Sequence, residues 1–370
     1  MRPKGMRFAL LAAVLSGAAI VVLNGPCARA ADLEIAARLD LPPGELAVTP
    51  DGRRFVSLHP AFHPNDPVAE ITGPNTIRTF PVGGVHSVAA IRADRNGMLW
   101  MLDVGEPPRD GDGPRPVRLA AWSIATEKTA CAIDLPASAL EPDSAPCDLA
   151  LDLEHHAAYI ADPASGPDAA LIVVDLNTLS ARRVLQGAPC VVPENTDVSV
   201  NGQPAEIRKP DGSTTKLRTG VNALALDPAG EWLYFGPMNG ASLYRAPVVK
   251  LLDRFAEPKA LEAAVERYSP KPASGGLAID ASGRIYVADL AAGAVGAIGP
   301  DRQYTPLARD PGLLWPDSVV LGPDGAVYAV AAQLQASPEM NAGKADPKKP
   351  FLIFRLPPPA VAGSPGGVAK

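Results

Sequence analysis

Leu277-Ala-Ile-Asp-Ala-Ser-Gly-Arg-Ile-Tyr-Val-Ala-Asp289 carries the reading that decides the fold. Two short runs alternate small and apolar residues with period two, and between them stands a turn whose Gly283 tolerates positive φ. That is the pattern of a β-hairpin. It returns at residues 46–56, 90–103, 149–162, 223–235 and 319–330, so the chain holds six copies. The turn glycines Gly52, Gly97, Gly230, Gly283 and Gly325 are spaced by 45, 133, 53 and 42 residues, the long interval spanning the third copy, which has Glu154-His155-His156 at its turn. Such periods suit four-stranded propeller blades and not helical solenoids. The expectation is an all-β chain forming a six-bladed β-propeller.

Two stretches depart from the repeat. Residues 187–220 contain Val198-Ser-Val-Asn-Gly and Ile207-Arg-Lys-Pro-Asp-Gly, turn chemistry that predicts an inserted β-ribbon between the third and fourth inner strands. Residues 248–268 place Leu251, Leu252, Phe255, Leu261 and Val265 at helical spacing broken at Pro258, which predicts a short helical insertion of two helices. The tail 357–370, rich in Pro, Gly and Ala, is expected to be disordered.

At the other end Arg2, Lys4 and Arg7 precede an uncharged apolar run over residues 8–23 and then Ala28-Arg29-Ala30, a small-x-small cleavage site. Residues 1–30 therefore read as a signal peptide, residues 31–356 as the propeller, and the mature protein as secreted or periplasmic. N-terminal sequencing of native material is expected to begin at or near Ala31, and a sequence starting at Met1 would contradict this. The apolar run is too short for a spanning helix, so no membrane association is expected once the signal is removed. Its loss takes away four basic residues and no acid, shifting the net charge from −6 to −10. That surface repels nucleic acid and anionic lipid. Cys131, Cys147 and Cys190 remain, without zinc spacing, and at most one disulfide can form among them.

The runs Leu99-Trp-Met-Leu-Asp-Val-Gly105, Ala158-Tyr-Ile-Ala-Asp162, Leu171-Ile-Val-Val-Asp-Leu176, Leu233-Tyr-Phe-Gly-Pro-Met238 and Ser242-Leu-Tyr-Arg-Ala-Pro247 resemble the yellow and major royal jelly protein family, in matching order. The resemblance covers nearly the whole mature chain and implies a six-bladed propeller and export. It implies no single activity, since relatives include dopachrome-converting enzymes, binders of biogenic amines and nutritive secreted proteins. A second, weaker similarity is to the calcium-dependent gluconolactonase and senescence marker propellers. Glu45-Leu-Ala-Val and Asn222-Ala-Leu-Ala match two of their metal-binding positions, whereas Ser274-Gly275-Gly276 stands where that family places an Asp.

In a propeller the residues opening each inner strand and those closing the next strand share one rim. Glu45, Cys147, Asn222, Ser274 and Asp317 are expected at the openings, and His59, Asp103, Asp162, Pro237 and Asp289 at the returns. The expected site is an acidic central cup for a small aromatic or cationic molecule, with Glu45, Asn222, Asp317, Ser274 and His59 as ligand-binding candidates. Glu45, Asn222 and Asp317 are also the candidate oxygen ligands for a calcium ion. In the alternative, a metal-assisted lactonase-like hydrolase or dopachrome-type isomerase, Asp317 or Asp103 moves the proton. Aspartates placed like Asp103, Asp162 and Asp289 also commonly accept turn N–H bonds. His155 and His156 fall at a hairpin tip on the opposite face. No nucleophile elbow, phosphate loop or zinc-protease helix is present.

Overall fold

The computed structural model describes residues 32–105, 115–164 and 166–358. The expectations for residues 1–30 and for the tail from 359 onward lie outside the described residues. Six four-stranded antiparallel sheets follow one another, with inner strands Pro43–Val48, Val88–Ala93, Asp148–Asp152, Val221–Leu226, Ser274–Ile279 and Pro316–Leu321. Each inner strand packs beside the next, and the last packs beside the first. These are the six blades of a propeller.

Blades 1 to 5 are meanders of consecutive strands. Blade 6 orders Pro316–Leu321, Val327–Ala331, Phe351–Leu356 and, outermost, Glu34–Leu39 from the other end of the chain. Leu39 stands opposite Phe351 and Glu34 opposite Arg355. The two terminal runs thus share a blade, as the need to pair open strand edges predicts.

Both faces of every blade are covered by neighbours, which is why the strands read as runs of small and apolar residues. Ala157–Asp162 is buried at every position. The core consists of apolar clusters wedged between consecutive blades. Between blades 1 and 2, Phe55 and Phe80 meet edge to face at 4.9 Å beside Ile91, Leu99 and Met101. Between blades 6 and 1, Leu39, Leu46, Val56, Phe351 and Ile353 close the ring. Each such side chain contributes about 1.5–3 kcal/mol when fully buried.

The turn glycines named above have φ between 68° and 84°, and in the third copy His156 takes that conformation at 53°. The expected ribbon is two hairpins, Ser199–Val200 with Gln203–Pro204 and Glu206–Arg208 with Thr214–Lys216. The helical insertion is α1 (Val248–Leu252) and α2 (Pro258–Ala263), with Pro258 opening the second helix. Phe255 departs from the expected helical face. The Asp253 carboxylate accepts the Phe255 N–H at 2.9 Å, a turn that ends α1 and leaves Phe255 92 % exposed. Among the described residues no helix is long and apolar enough to cross a membrane.

Candidate functional site

Five of the six inner strands begin with a register shift, between Pro43/Leu46, Val88/Ala90, Val221/Ala223, Ser274/Leu277 and Pro316/Ser318. Glu45, Ala89, Asn222, Gly275 and Asp317 fall in these shifts, and all five line one cavity of about 340 Å³ at the mouth of the channel. A bulge leaves a residue unpaired and re-aims its side chain. The third inner strand pairs without a shift and supplies Cys147 and Asp148 from its opening.

The cavity is roofed. Ile207 and Leu217 come from the second inserted hairpin, and Leu334 and Met340 from the long connection inside blade 6. Arg208 N donates to Met340 O at 3.0 Å and Ala342 N to Arg208 O at 2.9 Å, lacing the two insertions together. Val200, Met238, Leu290, Trp315 and Met340 form a small apolar core under this roof. The ribbon was legible as an insertion, but nothing in its sequence said that it covers the channel.

The floor is built from charge. The Arg92 guanidinium donates to the carboxylates of both Glu45 and Asp148. Glu45 Oε2 also accepts the Ile91 N–H at 3.0 Å, and Asp148 Oδ2 accepts that of Leu224 at 2.7 Å. Asn222 Nδ2 donates to Gly275 O at 2.9 Å, while Leu46 N donates to Ser318 Oγ at 3.4 Å. These bonds run from one inner strand to the next, so the floor staples the ring. Burial pushes the Glu45 carboxyl well above the ordinary range, against the pull of Arg92.

Asp317 differs from its neighbours. Burial, and after it the charge of Asp148, raise its carboxyl to about 7. His59 Nε2 lies 4.0 Å away, too far for a hydrogen bond. Burial lowers His59 to about 4, so the ring is neutral at pH 7 and the contact is no ion pair. His59 Nδ1 accepts the Ala61 N–H at 3.1 Å, which places the ring proton on Nε2, towards Asp317. The Trp315 indole favours the ionised form of Asp317, yet its buried Nε1 has no hydrogen-bond partner of good geometry.

The structure therefore brings Glu45, His59, Asn222, Cys147 and Asp317 to one cavity and leaves the other candidates outside its lining. Ser274 is buried behind it: it pairs with Asp289 before the register shift, so Gly275 presents its backbone to the cavity instead. Asp103 anchors a turn, its oxygens accepting the N–H groups of His86 and Ser87 at 3.0 Å and of Gly105 at 3.2 Å. Asp162 holds Arg183 and the Ala145 N–H, and Asp289 accepts from Tyr304 at 2.7 Å and from the Ala292 N–H at 3.0 Å. At the fourth return Pro237 O accepts from buried Lys271 at 2.8 Å. Asp103 thus stands in a turn outside the lining of the cavity. Cys131, Cys147 and Cys190 are all free thiols, and burial raises Cys147 well above its ordinary value.

Asp148, Arg92 and Trp315 were not singled out from sequence. Arg92 had a signal: five residues before their turn glycines, copies one, four, five and six carry Ala47, Ala225, Ala278 and Val320. A charged residue there, in a strand with both faces covered, requires buried partners.

As candidate metal ligands, Glu45 is engaged by Arg92, and Asn222 directs its amide nitrogen to Gly275 O with Oδ1 3.5 Å from the Cys147 thiol. Among the described residues no group of three or more His, Cys, Asp or Glu side chains could hold a metal ion.

Fold and cup together define a six-bladed propeller with a roofed cavity of small-molecule size. The model of the major royal jelly protein family matches residues 86–347, and the chain belongs to that family. Among solved structures it is similar to regucalcin, a calcium-binding protein from Agrobacterium tumefaciens, with TM-score 0.50 and 15 % identity over 88 % of this chain and 98 % of that one. It is also similar to a gluconolactonase from Xanthomonas campestris, with TM-score 0.53 and 11 % identity over 88 % and 89 %. At such identities the likeness is one of fold. No curated protein compared with the sequence matches it.

Proposed function

We propose that the protein is exported and binds a small aromatic cation in the roofed cup, with Asp317 as the counter-charge. The observation that carries this reading is a buried carboxylate in a largely apolar cavity, beside a neutral His59 and, among the described residues, with no cationic side chain paired to it. Such a group is costly to ionise alone and gains a partner when an ammonium enters. Trp315, Met238 and Met340 offer the apolar and aromatic surface for the rest of the ligand.

Tyramine and its neutral analogue tyrosol differ only in the ammonium. Calorimetric titration at pH 7.5 is expected to show tyramine bound at least ~10-fold more tightly, the smallest effect a buried charged hydrogen bond supports. Equal affinities, or binding of neither, would overturn the reading.

The pKa of Asp317 favours another reading, a proton-transfer enzyme such as a lactonase-like hydrolase. A carboxyl poised near 7 suits general acid–base work. Lactone turnover that disappears on Asp317→Asn would select it over simple binding.

A further inference from the structure

We propose that Arg92 is the resident cation of the floor of the cup and that the site works without a divalent metal. Arg92 rises from the second inner strand and grips Glu45 of blade 1 and Asp148 of blade 3. A calcium site needs several oxygens converging at roughly 2.3–2.6 Å. Here Glu45 is turned towards Arg92 and the Ile91 N–H, and the Asn222 amide is turned by its bond to Gly275 O.

The position where a third carboxylate would stand is closed. A Cβ on Gly275 would lie 2.5 Å from Pro316 O and 2.8 Å from Asp317 Cα, so an acidic residue would force blade 6 away. Arg92 also lines the apolar funnel on the far side of the floor, with Leu149, Leu224, Leu277 and Val319. Glu45 and Asp148 face the roofed cavity while Arg92 faces the funnel, so the three form a septum across the channel. A covalently tethered charge in that place is independent of metal supply, and it leaves Asp317, outside that contact, open to a ligand.

The test needs no organic ligand, so its failure and that of the binding reading are separable. Full-length purified protein is dialysed against metal-free buffer, assayed for calcium by elemental analysis, and melted with calcium or with EDTA. Far less than one equivalent of calcium is expected, with Tm unchanged within about 1 °C, because only a ligand that binds the native state shifts it. Stoichiometric calcium, or a fall of several degrees in EDTA, would overturn the proposal. Arg92→Met keeps an apolar stem and removes the charge, leaving Glu45 and Asp148 without a counter-ion. Calcium is expected to raise the Tm of this variant by several degrees, and a folded variant indifferent to calcium would count against the role of Arg92. Should Arg92→Met not fold under either condition, the wild-type arm decides.

Discussion

Asp317→Asn is expected to weaken tyramine binding by at least about 30-fold and to leave tyrosol binding within a factor of three. Truncating one partner of a buried charged pair costs about 2–5 kcal/mol, and each 1.4 kcal/mol is tenfold. The protein should remain folded, because among the described residues Asp317 makes no interblade staple of the kind that engages Glu45, Asp148 and Asn222. Its stability should even rise at neutral pH. A carboxyl raised from its ordinary value to about 7 is protonated in the folded chain while the unfolded chain has already lost its proton. The cost of ionising it builds up between about pH 4 and pH 7 and is fully present above that. Asparagine carries no such cost. A variant that unfolds at pH 7.5, or one that binds tyramine as tightly as wild type, would contradict this account.

Asp148→Asn should act in the opposite way, lowering stability by about 3–5 kcal/mol. The wild-type carboxylate accepts from Arg92 and from the Leu224 N–H, so it joins blades 2, 3 and 4 in one contact. The amide presents either its oxygen or its NH₂ to a guanidinium that keeps its full charge in a buried place. Guanidinium chloride unfolding followed by fluorescence measures the loss, and a change below about 1 kcal/mol would show that Glu45 alone suffices to hold Arg92.

The fold was largely legible because a propeller repeats its signal. Six hairpins with the same turn chemistry predict six blades, and unpaired terminal strands predict their own closure. The helical insertion was legible in place but not in face, since the Asp253 turn rotates Phe255 out to solvent. The cup was legible in part. Glu45, Asn222 and Asp317 open their strands, and counting from the turns places them on one rim.

What counting does not give is the bulge. A shift of register at the head of five inner strands decides that Asn222 and Asp317 point inward while Ser274 does not. Nor does spacing reveal partnership. Asp103 and Asp317 read alike, as aspartates on a rim, yet three backbone N–H groups claim Asp103, whereas Asp317 lines the cavity. Only the packed chain shows that Arg92 engages both Glu45 and Asp148, whereas Asp317 lines the cavity outside that contact.

The most direct measurement of that division of roles is the pH dependence of tyramine affinity between pH 5 and 8. Tyramine keeps its ammonium throughout, and His59 stays neutral because burial holds it near 4. Asp317, raised to about 7, then changes charge in the cup across this range, and the Asp317→Asn variant separates its share from that of Glu45, which burial also raises. Affinity should rise by up to about tenfold per pH unit at the acid end and level off above pH 7, as binding of a cation to a titrating carboxylate requires. In Asp317→Asn the slope should fall well below that of the wild type. A flat profile in the wild type, or the same slope in both proteins, would contradict the account.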